Sequence, residues 1–129
     1  MIVDSSALVA ILREESDAPA FVKKLVLSGT NRISASTYLE TAVVLDRDRN
    51  PILSRRLDDF LKEALVLIAP FTETQARIAR EAYRDFGRGS GHPAKLNFGD
   101  CFAYALAKEA GEPLLFKGND FTHTGIEVA

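Results

Sequence analysis

The opening tetrapeptide constrains the fold most. Met1-Ile2-Val3 is a short apolar run that ends on a carboxylate, Asp4, and passes without a linker into Ser5-Ser6-Ala7-Leu8-Val9-Ala10, where the pattern turns helical. A strand that hands directly to a helix belongs to open α/β folds, and those folds place ligands and reactive groups beyond the carboxyl ends of their strands. An acid that ends a buried strand is costly unless something binds it. Asp4 is therefore a candidate functional residue, and the next question is whether other acids reach the same rim.

The rest of the chain continues the alternation. Leu8, Ile11 and Leu12 predict a first helix capped by Ser5 or Ser6. Ser16-Asp17-Ala18-Pro19 opens a second, with Phe21, Val22, Leu25 and Val26 on one face and a stop near Ser28-Gly29. Arg32-Ile33-Ser34 reads as a strand leading into a third helix that holds Tyr38, Leu39, Ala42, Val43 and Leu45 and is broken by Asp46-Arg47-Asp48-Arg49-Asn50-Pro51. Ser54 opens a fourth helix with Leu57, Phe60, Leu61 and Ala64 as its apolar stripe, and the run 64–69 predicts a strand. Thr72 with Gln75 makes a capping-box pair for a helix that ends at Phe86, before a glycine-rich loop, 87–93, with room to move. A helix from Phe98 to Ala110 stops at Gly111, Leu114-Leu115-Phe116 is a fourth strand, and Gly125-Ile126-Glu127-Val128 is a weak fifth. The order predicts one α/β domain over residues 1–129, a three-layer α/β/α sandwich on a mainly parallel, twisted sheet of four to five strands.

Bulk composition narrows the function. With 129 residues, 47% of them apolar and 26% charged, the chain can bury a real core. Its longest apolar stretch, Ala64 to Ala69, is far short of a membrane span and no basic leader precedes the first strand, so a cytoplasmic protein with no membrane partner is expected. The lone Cys101 has no internal disulfide partner and sits in a helical pattern that favours packing over reactivity. A net charge of −2 argues against a general polyanion binder but leaves room for a nuclease with a small basic margin. Arg77, Arg80, Arg84 and Arg88, followed by His92 and Lys95, could form that margin; Glu81 and Asp85 interrupt it, and a salt-bridged solvated face is the simpler reading.

Three further acids stand at element junctions: Glu40 in Ser36-Thr37-Tyr38-Leu39-Glu40, Asp100 in Asn97-Phe98-Gly99-Asp100, and Asp120 in Gly118-Asn119-Asp120. Singly, each has a plain structural role available. Thr37 to Glu40 matches a capping box, Asn97 to Asp100 a looser one, and Asp120 follows a turn signature. Together they are more pointed, because Asp4, Glu40 and Asp120 each lie just beyond a strand, while Asp100 opens the helix before the fourth. Gathered at one edge, such acids would either take up protons or enclose a divalent cation. Oxygen-only donors suit Mg²⁺ or Mn²⁺, with one or two direct carboxylates and the other acids orienting bound water. His92 and His123 lack the spacing of a zinc site.

These residues resemble the PIN-domain ribonucleases, and within them the VapC toxins of toxin–antitoxin pairs. The likeness lies in Met1-Ile2-Val3-Asp4-Ser5-Ser6-Ala7, in Ser34-Ala35-Ser36 to Glu40, in Leu96-Asn97-Phe98-Gly99-Asp100-Cys101-Phe102-Ala103-Tyr104-Ala105 and in Leu114 to Phe121, and it covers essentially the whole chain. The segment around Asp100 is its most specific part. The resemblance implies a PIN-like nuclease domain in which Asp4, Glu40 and Asp100 are the core catalytic and metal-holding acids, Asp120 is a more variable fourth, and Ser6 is a supporting hydroxyl near the metal. Many relatives carry two acids at the last motif, and here the first is Asn119.

It further implies a Mg²⁺- or Mn²⁺-dependent hydrolysis of single-stranded RNA, a homodimer, and a cognate VapB-like antitoxin whose tail lies over helices one and two. Leu8, Ile11, Leu12, Phe21 and Leu25 could line that groove, or could equally be core. Two rival readings keep the same fold. One is a phospho-acceptor signalling domain that uses Mg²⁺ and Lys117. The other is a catalytically silent binding module.

Overall fold

The computed structural model describes residues 1–129. In chain order the elements are β1 (Ile2–Val3), α1 (Ser5–Leu12), α2 (Ala18–Ser28), β2 (Asn31–Ser34), α3 (Ala35–Asp46), α4 (Pro51–Glu63), β3 (Val66–Ala69), α5 (Glu73–Phe86), α6 (Asp100–Ala110) and β4 (Leu114–Leu115). The strands form one parallel sheet ordered β3-β2-β1-β4. The chain steps outward from β1 to β3 and then returns to place β4 on the free side of β1. Such a reversal opens a crevice beyond the carboxyl ends of the two strands between which the order switches. Asp4 follows β1, and the segment 116–120 follows β4, so the strand order brings both to that crevice.

Both faces of a parallel sheet must be covered, and the strands are apolar in both directions as a result. Val3, Ile33 and Leu115 pack with Leu8, Leu25, Leu45 and Leu57 from α1 to α4. Ile2 and Leu114 pack on the other side with Ala79, Leu96, Ala103 and Leu106, from α5, α6 and the loop between them. These two clusters, one on each side of the sheet, give the three layers expected from sequence. The pleat also sets the site: Asp4 lies two residues after Ile2 and so faces the α6 side.

Several boundaries differ from the sequence reading. Helix α4 begins at Pro51, with the Asn50 side chain accepting from the N–H of Ile52, so the cap is Asn50 and not Ser54. The third strand is shorter than 64–69, because Ala64 caps α4 and Leu65 takes a positive φ of 52° before the chain extends. Helix α6 starts at Asp100 and not Phe98. The fifth strand is reduced to one parallel bridge between Val128 and Leu114.

The glycine-rich loop is tied down. Leu96 is fully buried, its N–H donates to the Phe86 carbonyl, and the Arg88 N–H donates back to the carbonyl of Leu96. Within it the His92 ring packs against Phe86 and its Nδ1 accepts from the N–H of Ala94, which gives this histidine a structural role.

Candidate active site

Asp4 is extended (φ −87°, ψ 157°) and continues the sheet, its N–H donating to the Leu115 carbonyl at 2.9 Å. It is itself the N-cap of α1. Its Oδ2 accepts from the Ser6 N–H at 3.0 Å and from the Ser6 hydroxyl at 2.6 Å. The sequence reading gave this cap to Ser5 or Ser6; Asp4 takes it because it holds the extended backbone that precedes the first helical turn. Ser6 instead ties the first turn of α1 to the chain just beyond β4, since its Oγ also accepts from the Lys117 N–H at 2.9 Å. The other carboxylate oxygen of Asp4, Oδ1, is buried and has no hydrogen-bond partner. Burial pushes the Asp4 carboxyl up to about 6, the Ser6 hydrogen bonds pull against it, and the charge of Glu40 adds to the rise.

Asp100 opens α6 through a reciprocal pair with Asn97. The Asp100 N–H donates to Asn97 Oδ1 and the Asn97 N–H donates to Asp100 Oδ2, each at 2.8 Å. The capping-box reading is therefore right, yet it engages only one of the two carboxylate oxygens. Burial, with the charges of Asp4, Asp120 and Glu40 added, pushes Asp100 up to about 7 against the pull of the Asn97 N–H. Residues separated by up to 116 positions, Asp4 and Asp120, thus act on one carboxylate.

Glu40 does not cap its helix. Thr37 lies inside α3, with Ser34 at the N-cap position, so the Thr37 to Glu40 match is fortuitous. Its carboxylate instead rests on Gly99, where an added Cβ would come within 1.4 Å of Glu40 Oε2. Gly99 belongs to the site for that reason, as a close-approach position. The sequence reading gave it no role; its place immediately before an acid that opens a helix was the available signal. Asp120 is exposed in a turn closed by the Thr122 N–H on the Asn119 carbonyl, so its turn role and its reach toward Asp100 coexist.

The donor set suits a hard cation. All candidate donors are oxygens, Asp4 Oδ1 is buried without a partner, and the charges of neighbouring carboxylates add to the rise of Asp4 and Asp100. No three His, Cys, Asp or Glu side chains converge closely enough to enclose an ion by themselves. Direct contact from a carboxylate pair, completed by water, is the coordination Mg²⁺ favours.

Other candidates lie elsewhere. Lys117 Nζ pairs with Glu15 at 2.5 Å and Asp17 at 3.4 Å, so it is engaged by α1–α2 and not by the acids. Arg77 pairs with Glu73 and Arg84 with Asp85, the solvated face expected of that helix. Cys101 is buried, and burial pushes its thiol up to about 11. His123 is exposed.

A family model, the PIN domain, matches residues 1–127. Ribonuclease VapC28 of Mycobacterium tuberculosis is 58% identical over 129 residues, 100% of this chain and 97% of that protein. Ribonuclease VapC30 of the same species is 46% identical over 126 residues, 98% of this chain and 95% of its own. Among solved structures, M. tuberculosis VapC20, described as a Sarcin-Ricin loop cleaving toxin, superposes with a TM-score of 0.75 at 17% identity, covering 99% of this chain and 97% of that one. A toxin–antitoxin complex from Klebsiella pneumoniae gives 0.71 at 17% identity, with 99% and 95% covered. These two share the fold with this chain.

Proposed function

The chain belongs to the PIN-domain family, and from that premise we propose that it is a metal-dependent endoribonuclease, the toxin of a toxin–antitoxin pair. The observation that carries this is the meeting of the charges of Asp4, Glu40 and Asp120 on Asp100, beside an Asp4 oxygen that nothing in the protein satisfies. RNA as the substrate is supported by full-length relatives named as ribonucleases.

In this reading Asp4 and Asp100 would hold Mg²⁺ or Mn²⁺, with Glu40 and Asp120 as supporting acids. The ion, when bound, polarises the phosphate and lowers the pKa of a bound water for in-line attack. Ser6 fixes the Asp4 carboxylate through its 2.6 Å hydrogen bond and is itself held by the Lys117 backbone. Gly99 leaves the space in which the Glu40 carboxylate sits. No side-chain nucleophile is needed, and the raised Cys101 thiol supplies none. Single-stranded RNA is the favoured form, because its backbone and bases are accessible.

A cognate VapB-like antitoxin would lie over α1 and α2, and the toxin–antitoxin complex from Klebsiella pneumoniae, which shares the fold, supports a partner of this kind. Of the residues expected to line that groove, Leu8, Leu12, Phe21 and Leu25 are buried in the core, whereas Ile11, largely buried, still reaches the groove wall. The open surface there is a groove bordered by Ile11, Glu14, Glu15, Pro19, Val22 and Lys23. A homodimer and a cytoplasmic site of action complete the proposal; no helix is long and apolar enough to cross a membrane.

The rival phospho-acceptor reading loses its lysine, since Lys117 is paired with Glu15 and Asp17. The silent-module reading leaves the buried, unpartnered Asp4 oxygen without a purpose. The deciding experiment incubates purified, antitoxin-free protein with single-stranded RNA. Cleavage should require Mg²⁺ or Mn²⁺, and Asp4→Asn and Asp100→Asn should abolish it while circular dichroism stays unchanged. Equal cleavage by wild type and both variants would point to a contaminating nuclease and defeat the assignment.

A further inference from the structure

The glycine-rich loop that joins α5 to α6 carries a cationic hollow, and we propose that this hollow is a subsite for the RNA backbone, holding a phosphate that flanks the scissile one. The inference rests on the ribonuclease reading and deepens it. Residues 86–99 contain no Asp or Glu, although the whole chain has 18 acids and a net charge of −2. Within that stretch Arg88, Gly89, Gly91, His92, Pro93 and Lys95 line a hollow of about 460 Å³.

The hollow is built from fixed backbone. The Arg88 N–H donates to the Leu96 carbonyl and the Leu96 N–H to the Phe86 carbonyl, so the two ends of the loop are zipped together and Arg88 is brought beside the segment that carries Lys95. The Ser90 hydroxyl donates to the Gly87 carbonyl and accepts from the His92 N–H. By contrast the N–H groups of Gly89, Gly91 and Lys95 have no acceptor within the chain, and these residues turn left-handed, with φ of 85°, 84° and 49°. Turns that leave backbone N–H groups unpaired form the concavities in which anions bind. A left-handed φ is costly for a residue with a Cβ, so Lys95 keeps its ammonium at the hollow where glycine would fit the backbone better.

Charge points to a polyanion as the occupant. Arg77 and Arg84, from the same basic series, are paired with Glu73 and Asp85, whereas neither Arg88 nor Lys95 takes part in an ion pair. Asp4, Glu40 and Asp120 all act on Asp100, and an RNA strand that approaches these acids needs nearby cations that no carboxylate of the protein has taken. Leu96 is fully buried and Asn97 exchanges two hydrogen bonds with Asp100, so Lys95 is anchored two residues from the cap of that acid. Lys95 lies five positions before Asp100, a reach of at most about 18 Å, which sets the hollow within a few nucleotides of the cleaved bond.

The test uses Asp4→Asn protein as the non-cleaving background and follows binding of short single-stranded RNAs by fluorescence anisotropy over a series of NaCl concentrations. Arg88→Gln and Lys95→Gln should each weaken binding about two- to fivefold, by the same factor for RNAs of different sequence. Each should also make the slope of log K against log salt shallower by about 0.7, the value of one phosphate contact to a single strand. Arg88→Lys should keep the slope. Lys95→Gly, which suits the left-handed backbone, should lose the slope as Lys95→Gln does while Tm stays the same or rises. Lys62→Gln, on α4 across the sheet, should change neither slope nor affinity. In the cleaving protein Lys95→Gln should raise KM and leave kcat unchanged.

An unmoved salt slope in both Arg88→Gln and Lys95→Gln would overturn the subsite. So would an equal change on Lys62→Gln, which would mark overall charge and not a site, or a loss confined to one RNA sequence, which would mark base recognition. If wild type cleaves RNA while the slope stays unmoved, only the subsite fails. If wild type cleaves none with either metal, the ribonuclease reading fails and takes the subsite with it.

Discussion

Replacing Asp100 by Asn separates what the site does for catalysis from what it does to the fold. In the metal-free protein the Asp100 carboxyl is pushed from an ordinary 3.8 up to about 7 by burial and by the charges of Asp4, Asp120 and Glu40. Between those two values the folded protein binds a proton that the unfolded chain has released, so stability falls as pH rises through that window and levels off above it. A shift of this size, at 1.36 kcal/mol per pKa unit, makes an ionised Asp100 at pH 8 cost the metal-free fold on the order of 4 kcal/mol. Asparagine keeps an oxygen to accept from the Asn97 N–H, which the carboxylate does now at 2.8 Å, and carries no charge.

After allowance for burying the amide, Asp100→Asn should be more stable than wild type at pH 8 by about 1–3 kcal/mol in EDTA. The difference should shrink as pH falls through that window and level off only below about pH 4, where Asp100 is protonated in the folded and the unfolded chain alike. For a chain of this length that is a rise in Tm of roughly 3–10 °C at pH 8, read by calorimetry or urea unfolding at both pH values. A variant less stable than wild type at pH 8, or a difference independent of pH, would refute the claim that the acids crowd one another in a buried cleft.

Gly99→Ala places a methyl group where the Glu40 carboxylate lies, 1.4 Å from Oε2; it should lower RNA cleavage at least tenfold by displacing Glu40, with the circular dichroism spectrum retained. Ser6→Ala removes the hydroxyl that donates to Asp4 and accepts from the Lys117 N–H, and should destabilise the protein by about 1–3 kcal/mol in urea unfolding while weakening Mg²⁺ binding measured by calorimetric titration. Adding Mg²⁺ should raise Tm in wild type at pH 8, by the linkage between binding and folding, and should do so little or not at all in Asp4→Asn. Chelation with EDTA should reverse both that rise and RNA cleavage.

Much of the chain was legible before any coordinates. Helical spacing and strand-like runs gave the order of elements, because period and capping are local and need only neighbouring residues. The same local rules found Asp4 at the end of β1 and the Asn97–Asp100 capping pair, which the structure contains. The family motifs in the sequence placed Glu40 and Asp120 beside them. Boundaries slipped where local chemistry offered two answers, as with Ser54 against Asn50 for the cap of α4, where the proline at Pro51 suits a first helical position.

Local pattern could not decide proximity. That Glu40 rests on Gly99, that Ser6 receives the backbone of Lys117, and that Lys117 turns to Glu15 and away from the acids are contacts between segments up to 111 residues apart. Burial turned Leu8, Leu12, Phe21 and Leu25 from a possible docking face into core and left only Ile11 at the groove between α1 and α2. The physical reason is strand order. A sequence states which residues end strands, but only the arrangement β3-β2-β1-β4 says which of those ends lie side by side, and hence which charges act on Asp100.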